Sequence, residues 1–300
     1  MIRRHSASFL GALLFVLPYP AHGYGGHHRG LSVSIEDRDV ISCNQLHVRS
    51  DNREVARSED RLTLPQTAST VRVQAAENGG VYVYGWGRQD FGVLNCKIAL
   101  SDDSMTAERK LQLIKTSFED GRLIVSGPDE GDWTSYLIIH APRSGALALT
   151  GMNGPISISD LAGKIEVHNT NGPFAIKGSA GGISAELENG PIDYAGNGGD
   201  VHLHAQNGPI AVKLIGTSWD GKGLDAQSTN GPLSLKLPNN YSSGVRVQTR
   251  GYSPFSCSGC ENAHKDFDDG NKSVQFGSGE PVVRLSTVNG PVSINERDFE

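Results

Sequence analysis

Six Asn-Gly-Pro triplets begin at Asn153, Asn171, Asn189, Asn207, Asn230 and Asn289, and the first four are 18 residues apart. The next interval is 23 residues and the last is 59. A fixed period near 20 residues is the signature of a stacked-repeat architecture. Each triplet precedes a short alternating strand: Ile156-Ser-Ile158, Phe174-Ala-Ile176, Ile192-Asp-Tyr194 and Ile210-Ala-Val212. A Gly-containing turn then leads to a second strand, as in Ile165-Glu-Val167, Ile183-Ser-Ala185 and Val201-His-Leu203. Period-two alternation buries one side of a strand and wets the other. One such unit cannot bury its apolar side alone, so neighbouring units must complete its core and its hydrogen bonds. The fold class expected is therefore all-β, a β-solenoid of roughly 18-residue two-strand coils.

The triplet chemistry fits a corner. Asn and Gly tolerate positive φ. Pro lacks an N–H and suits the first residue of a strand. The structural turn residues expected are Asn153, Gly154, Pro155, Asn171, Gly172, Pro173, Asn189, Gly190, Pro191, Asn207, Gly208, Pro209, Asn230, Gly231, Pro232, Asn289, Gly290 and Pro291. Stacking places Ile156, Phe174, Ile192, Ile210, Leu233 and Val292 in one internal column, with the asparagines as a ladder along one corner. Upstream, Asn78-Gly79-Gly80 between Val71-Arg-Val73 and Val81-Tyr-Val83 reads as a degenerate repeat. Met105 to Lys115 is the best helix candidate, with Ser101 or Ser104 as its N-cap. It would sit in an N-terminal β-rich cap.

The N-terminus reads as a signal peptide over residues 1–23. Arg3 and Arg4 form a basic start, Phe9 to Leu17 a short apolar run, and Ala21 and Gly23 a small-residue cleavage site. An uncleaved anchor is the alternative, although the run is short for a bilayer. Residues 24–70 form an extension, and 71–300 the repeat domain, with repeats at 153–237 and 289–295 and an inserted loop at 251–280. Loss of residues 1–23 leaves 25 basic against 33 acidic residues, a net charge of −8. That balance disfavours nucleic-acid binding. No segment of the mature chain is long enough to span a membrane as a helix.

An even count of cysteines in an exported chain implies disulfides. Cys43–Cys96 is expected as a long-range staple and Cys257–Cys260 as a local clip. A redox role for Cys-Ser-Gly-Cys would need a thioredoxin-like setting, which the pattern lacks. A single CxxC does not build a four-thiolate zinc site.

From about Val71 to Asn295 the sequence resembles the adhesin-type domain of bacterial exported proteins, the family DUF4097. The resemblance rests on Val81-Tyr-Val83-Tyr-Gly85-Trp86, Leu123-Ile-Val125, Leu137-Ile-Ile-His-Ala-Pro142, the strand–Asn-Gly–strand units and Val283-Arg-Leu-Ser-Thr287-Val-Asn-Gly290. Members usually carry Asn-Gly-Asp where this chain has Asn-Gly-Pro, a departure in the turn and not in the core. The resemblance implies a β-solenoid at the cell envelope and supplies no catalytic residues.

The 18-residue period aligns surface columns. His168, Glu186 and His204 share one, followed by Gln227. Glu166, Ser184, His202 and Asp225 share the next. Two His and a Glu are a plausible divalent-metal set by ligand type, but parallel side chains do not converge, and an ordinary polar ladder is the competing reading. The carboxylates Asp160, Glu166, Glu186, Glu188 and Asp193 are scattered over both faces, whereas a glycosidase needs two facing one cleft. The loop Asp266-Phe-Asp268-Asp269-Gly270-Asn271 lacks the spacing of a calcium loop. On the first-strand face, small residues with Lys177, Lys213 and Lys236 form a flat wall. Trp219, Tyr252 and Phe255 are candidate contacts. The functional expectation is a non-enzymatic, cofactor-free envelope protein of binding or scaffolding type, its partner an envelope protein or glycan. The alternatives are a self-associating structural protein and a β-helix enzyme acting on glycans.

Overall fold

The computed structural model describes residues 31–35, 41–65, 69–129, 131–250, 253–268, 270–277, 280 and 282–296. The expected signal peptide, Tyr252 and Asp269 lie outside the described residues. The described residues are all-β with one α-helix, arranged as a 12-stranded sheet facing an 11-stranded sheet, plus a two-stranded sheet.

The N-terminal part runs β1 (Leu31–Ile35), β2 (Leu46–Ser50), β3 (Glu54–Leu64), β4 (Val71–Gln74), β5 (Gly80–Trp86), β6 (Phe91–Ser101), α1 (Ser104–Leu113), β7 (Lys115–Glu119), β8 (Arg122–Ser126) and β9 (Trp133–Pro142). Helix α1 buries Ala107 and Leu111, one turn apart. Its N-cap is Asp103, whose carboxylate accepts from the Thr106 N–H at 2.9 Å. Neither Ser101 nor Ser104 caps it, because Ser101 ends β6 and Ser104 is already helical. Lys115 opens a strand instead of extending the helix.

The repeats follow as pairs: β10 (Leu147–Asn153) and β11 (Ile156–Ser159), β12 (Ile165–Asn171) and β13 (Phe174–Lys177), β14 (Gly182–Asn189) and β15 (Ile192–Gly196), β16 (Gly198–Asn207) and β17 (Ile210–Leu214), β18 (Asp220–Asn230) and β19 (Leu233–Leu237). The first member of each pair joins the sheet of twelve and the second joins the sheet of eleven. We call each pair a rung. Successive rungs are parallel and in register, so Ile156 pairs with Phe174, Phe174 with Ile192, and Ile192 with Ile210. Those side chains, with Leu233 and Val292, are at most 1% exposed. The column continues outward to Val81 and Leu137.

The corner residues divide the work differently from the expectation. The Asn side chains form an unbroken amide ladder. Asn153 Nδ2 donates to Asn78 Oδ1 at 3.1 Å, Asn171 to Asn153 at 2.8 Å and Asn189 to Asn171 at 3.0 Å. Asn207 donates to Asn189 at 3.1 Å, Asn230 to Asn207 at 3.0 Å and Asn289 to Asn230 at 2.9 Å. None of these asparagines adopts positive φ. The glycine is required chiefly by close approach: a Cβ on Gly154, Gly208, Gly231 or Gly290 would lie 1.9–2.1 Å from the preceding rung's glycine oxygen. Pro cannot donate, yet its carbonyl accepts from the neighbouring strand, as Pro191 does from the Phe174 N–H at 2.9 Å.

The chain does not lay its rungs down in order. The C-terminal part runs β20 (Val245–Arg250), β21 (Phe255–Ser258), β22 (His264–Asp268), β23 (Asn271–Phe276), β24 (Val283–Asn289) and β25 (Val292–Glu296). Strand β24 pairs with β18 on one side and β20 on the other, and β25 lies between β19 and β21. The last rung is thus inserted inside the stack. The N-terminal end is folded back in the same sense, since β4 sits between β8 and β10 and β5 between β9 and β11.

Candidate functional site

The outward side chains of the sheet of twelve form the most structured polar surface. The register sets His168 beside Glu186, Glu186 beside His204 and His204 beside Gln227. The neighbouring column is Glu166, Ser184, His202 and Asp225, continued by Arg284 and Arg246. Ser184, Glu186, His202, His204, Asp225 and Gln227 ring a shallow depression of about 210 Å³.

Local pairs organise this face. His168 Nδ1 lies 3.4 Å from Glu186 Oε2, both side chains being well exposed. Lys164 reaches Glu166 at 2.6 Å, and this hydrogen bond holds the Glu166 carboxyl below its usual range. Asp200 is held low by its bond to Lys222 at 2.9 Å and, less strongly, by His202 at 3.1 Å. Gln227 Nε2 donates to Asp225 Oδ1 at 3.0 Å. These contacts are exposed and each contributes little stability.

His168, Glu186 and His204 therefore share a column but do not converge. Among the described residues no group of three His, Cys, Asp or Glu side chains is placed to hold a metal ion. Period-two strands project side chains in parallel, whereas coordination needs them to point at one centre. Of the scattered carboxylates, Glu166, Glu186 and Glu188 lie on the adjacent strands β12 and β14 of the sheet of twelve, Asp193 on the sheet of eleven and Asp160 at a corner with φ of 60°.

The outer face of the sheet of eleven carries Ser157, Ala175, Asp193, Ala211 and Ser234 in one column. Ser159, Lys177, Ala195, Lys213 and Lys236 form the next. Toward the N-terminal end this wall is covered. Strands β1 and β2 pack there over Tyr82, Ile98, Tyr136 and Ile138, forming a second small core. Cys43 is bonded to Cys96 beneath this flap, and Cys257 to Cys260 at the other end of the sheet. Burial pushes the Tyr82 and Tyr136 phenols well above their ordinary range, so both stay neutral.

Trp219 is not a surface contact. The 23-residue repeat folds it back until it is 8% exposed, with its indole N–H donating to the Gly199 oxygen at 3.2 Å. Phe255 is half-buried against Phe267, ring centroids 5.4 Å apart. The adjacency of Arg284 and Arg246 escaped the sequence reading. It depends on β24 entering the stack between β18 and β20. The available signal was Asn289 itself, since the strand carrying the triplet is the one that continues the ladder beside Asn230.

No family model matches the chain, and no curated protein matches it. Among solved structures it is similar to a "putative cell adhesion protein" from Clostridium sporogenes, at 12% identity and a TM-score of 0.29, covering 81% of this chain and 100% of that one. It is similar to a "putative adhesin" from Bacteroides fragilis, at 12% identity and a TM-score of 0.28, covering 81% and 97%. It is also similar to a "putative lipid binding protein" from Parabacteroides distasonis, at 9% identity and a TM-score of 0.34, covering 80% and 96%. All three superpose loosely on this chain.

Proposed function

We propose that the chain is an exported, non-enzymatic β-solenoid of the DUF4097 adhesin type, acting at the cell envelope as a binding or scaffolding module. The observation that carries this reading is the outer face of the sheet of twelve. It arrays polar side chains in register over many strands, and among the described residues gathers no three His, Cys, Asp or Glu side chains around a metal-sized centre. Such a surface recognises by extended complementarity. The parallel register at an 18-residue offset supports the solenoid reading. Arg3, Arg4 and the apolar run to Leu17 support export, and two disulfides suit an oxidising compartment. Among the described residues no helix is long and apolar enough to cross a membrane. The partner is an envelope glycan or protein.

The test is a glycan array probed with the mature chain, followed by product analysis of every retained glycan. Retention of intact glycans is the expected result. Cleaved or eliminated products would replace this reading with the enzymatic one.

A second reading, self-association through an end of the stack, has its own observation. Strands β3, β7 and β22 at sheet ends carry two or more charges each, which block edge pairing, whereas β21 (Phe255-Ser-Cys-Ser258) carries none. Light scattering over a hundredfold concentration range discriminates: a mass that rises with concentration favours this second reading, and a constant monomer mass removes it.

A further inference from the structure

Eight Asn-Gly dipeptides begin at Asn78, Asn153, Asn171, Asn189, Asn197, Asn207, Asn230 and Asn289. Asparagine is a thermolabile residue, and a following glycine makes it more so, because no Cβ shields the next backbone nitrogen. That nitrogen gives up its proton and attacks the side-chain Cγ. A C–N bond forms, the Cγ–Nδ2 bond breaks and ammonia leaves. Water then opens the resulting succinimide at either carbonyl, leaving aspartate or isoaspartate.

The fold treats the eight sites unequally. Seven belong to the amide ladder, and Asn153, Asn171, Asn189, Asn207 and Asn230 each both donate through Nδ2 and accept at Oδ1. Their amide planes are fixed from both sides, so Cγ cannot turn onto the glycine nitrogen. The nucleophile is engaged as well: the N–H groups of Gly172, Gly190, Gly208 and Gly231 each donate to the next triplet's Asn backbone oxygen at 3.0 Å. Asn197 stands outside this system, in the bend between β15 and β16. The residue one period before it is Ser179, whose hydroxyl accepts from the Leu161 N–H at 3.1 Å, so no amide ladder forms at that corner. Asn197 is exposed, and its side chain makes no hydrogen bond among the described residues. Its backbone is nevertheless placed to matter. The Asn197 oxygen accepts from the Asp220 N–H at 2.7 Å, and the Gly199 oxygen accepts from the Trp219 indole at 3.2 Å.

We propose that Asn197 is the spontaneous deamidation site of this chain, that the amide ladder shields the other Asn-Gly sites, and that conversion at Asn197 unseats Trp219. Isoaspartate adds one atom to the main chain at this corner. That shifts the two oxygens holding Trp219 and Asp220, and a ring now 8% exposed opens to solvent. The proposal is independent of what the outer face binds.

The experiment ages the mature full-length chain in mildly alkaline buffer. Peptide mass spectrometry quantifies conversion at each Asn-Gly site, with electron-transfer fragmentation separating aspartate from isoaspartate. Asn197 should convert at least about tenfold faster than Asn171, Asn189, Asn207 or Asn230, where two side-chain bonds must break first. In urea the eight sites should convert at similar rates. Asn189→Ala opens the ladder on both sides, and conversion at Asn171 and Asn207 should rise. Oxidative labelling of Trp219 should increase in the aged wild type and not in aged Asn197→Ala, a variant that loses no side-chain hydrogen bond. Conversion at Asn197 no faster than in the ladder, a gap that persists in urea, or ladder rates unchanged in Asn189→Ala would overturn the proposal. So would Trp219 labelling that fails to follow conversion.

Discussion

Gly190 carries a stricter demand than Asn189 at the same corner. A Cβ on Gly190 would sit 2.2 Å from the Gly172 oxygen, a backbone atom that cannot swing aside, and its φ of 146° adds strain for any L side chain. Gly190→Ala should therefore cost about 3 kcal/mol or more. Asn189→Ala removes two amide bonds of an exposed ladder and should cost about 1–2 kcal/mol. Urea unfolding of both variants checks the order; an equal cost would mean that the corner is a local turn and not a stacking device. Asp132 sets the acid limit of a separate latch. Arg53 donates to its carboxylate through two nitrogens at 2.7 Å each and Lys110 at 3.2 Å, joining the approach to β3, helix α1 and the approach to β9. The Arg53 bond, and then Lys110, hold this carboxyl well below the usual carboxylate range. A depressed folded-state pKa gives stability that is complete above the unfolded value of about 4 and is lost as pH falls toward the folded one. Asp132→Asn should lower Tm at pH 7 and flatten the decline below about pH 4. Parallel Tm-versus-pH curves for both proteins would remove Asp132 from the acid transition.

Among the strands, the insertion of β24 and β25 has the largest consequence. Strands β20 and β21 pair with the stack through β24 and β25. A chain ending at residue 282 should lose protease resistance across 245–276 while 147–237 stays protected, as mapped by limited proteolysis with mass spectrometry. Protection of both segments would contradict the strand order. The Cys43–Cys96 bond spans 53 residues and ties the β1–β2 flap to β6. Its removal should cost up to about 4 kcal/mol and expose the Tyr82 and Tyr136 rings, read by near-ultraviolet circular dichroism. Strand pairing in the regular repeats was legible because equal spacing leaves one register, so the inward column and the Asn ladder follow from the triplets alone. The order of β20 and β24 was not, because Val245–Arg250 and Val283–Asn289 alternate equally well. What decides between them is long-range: β20 lacks the triplet and cannot extend the ladder from Asn230. Trp219 escaped for a related reason, since its burial depends on Gly199 of the rung before.

For the molecule as a whole, two sheets with parallel registers produce two outer faces of different character. One is a wall of small residues, partly roofed by β1 and β2. The other is an open polar array that continues through Arg284 and Arg246 to β23 and β22. The triplets make the scaffold, and the function proposed here belongs to the array. The columns of that array were readable from the 18-residue period, whereas its limits were set by the flap, the inserted rung and the folded-back Trp219. The most direct test is covalent footprinting of the mature chain on the glycan or envelope fraction that retains it. Protection of His168, Glu186, His202, His204 and Asp225 on the outer face of the sheet of twelve is expected, with the eluted ligand chemically unchanged. Protection confined to β21 and β22, or a ligand eluted as cleavage products, would contradict it.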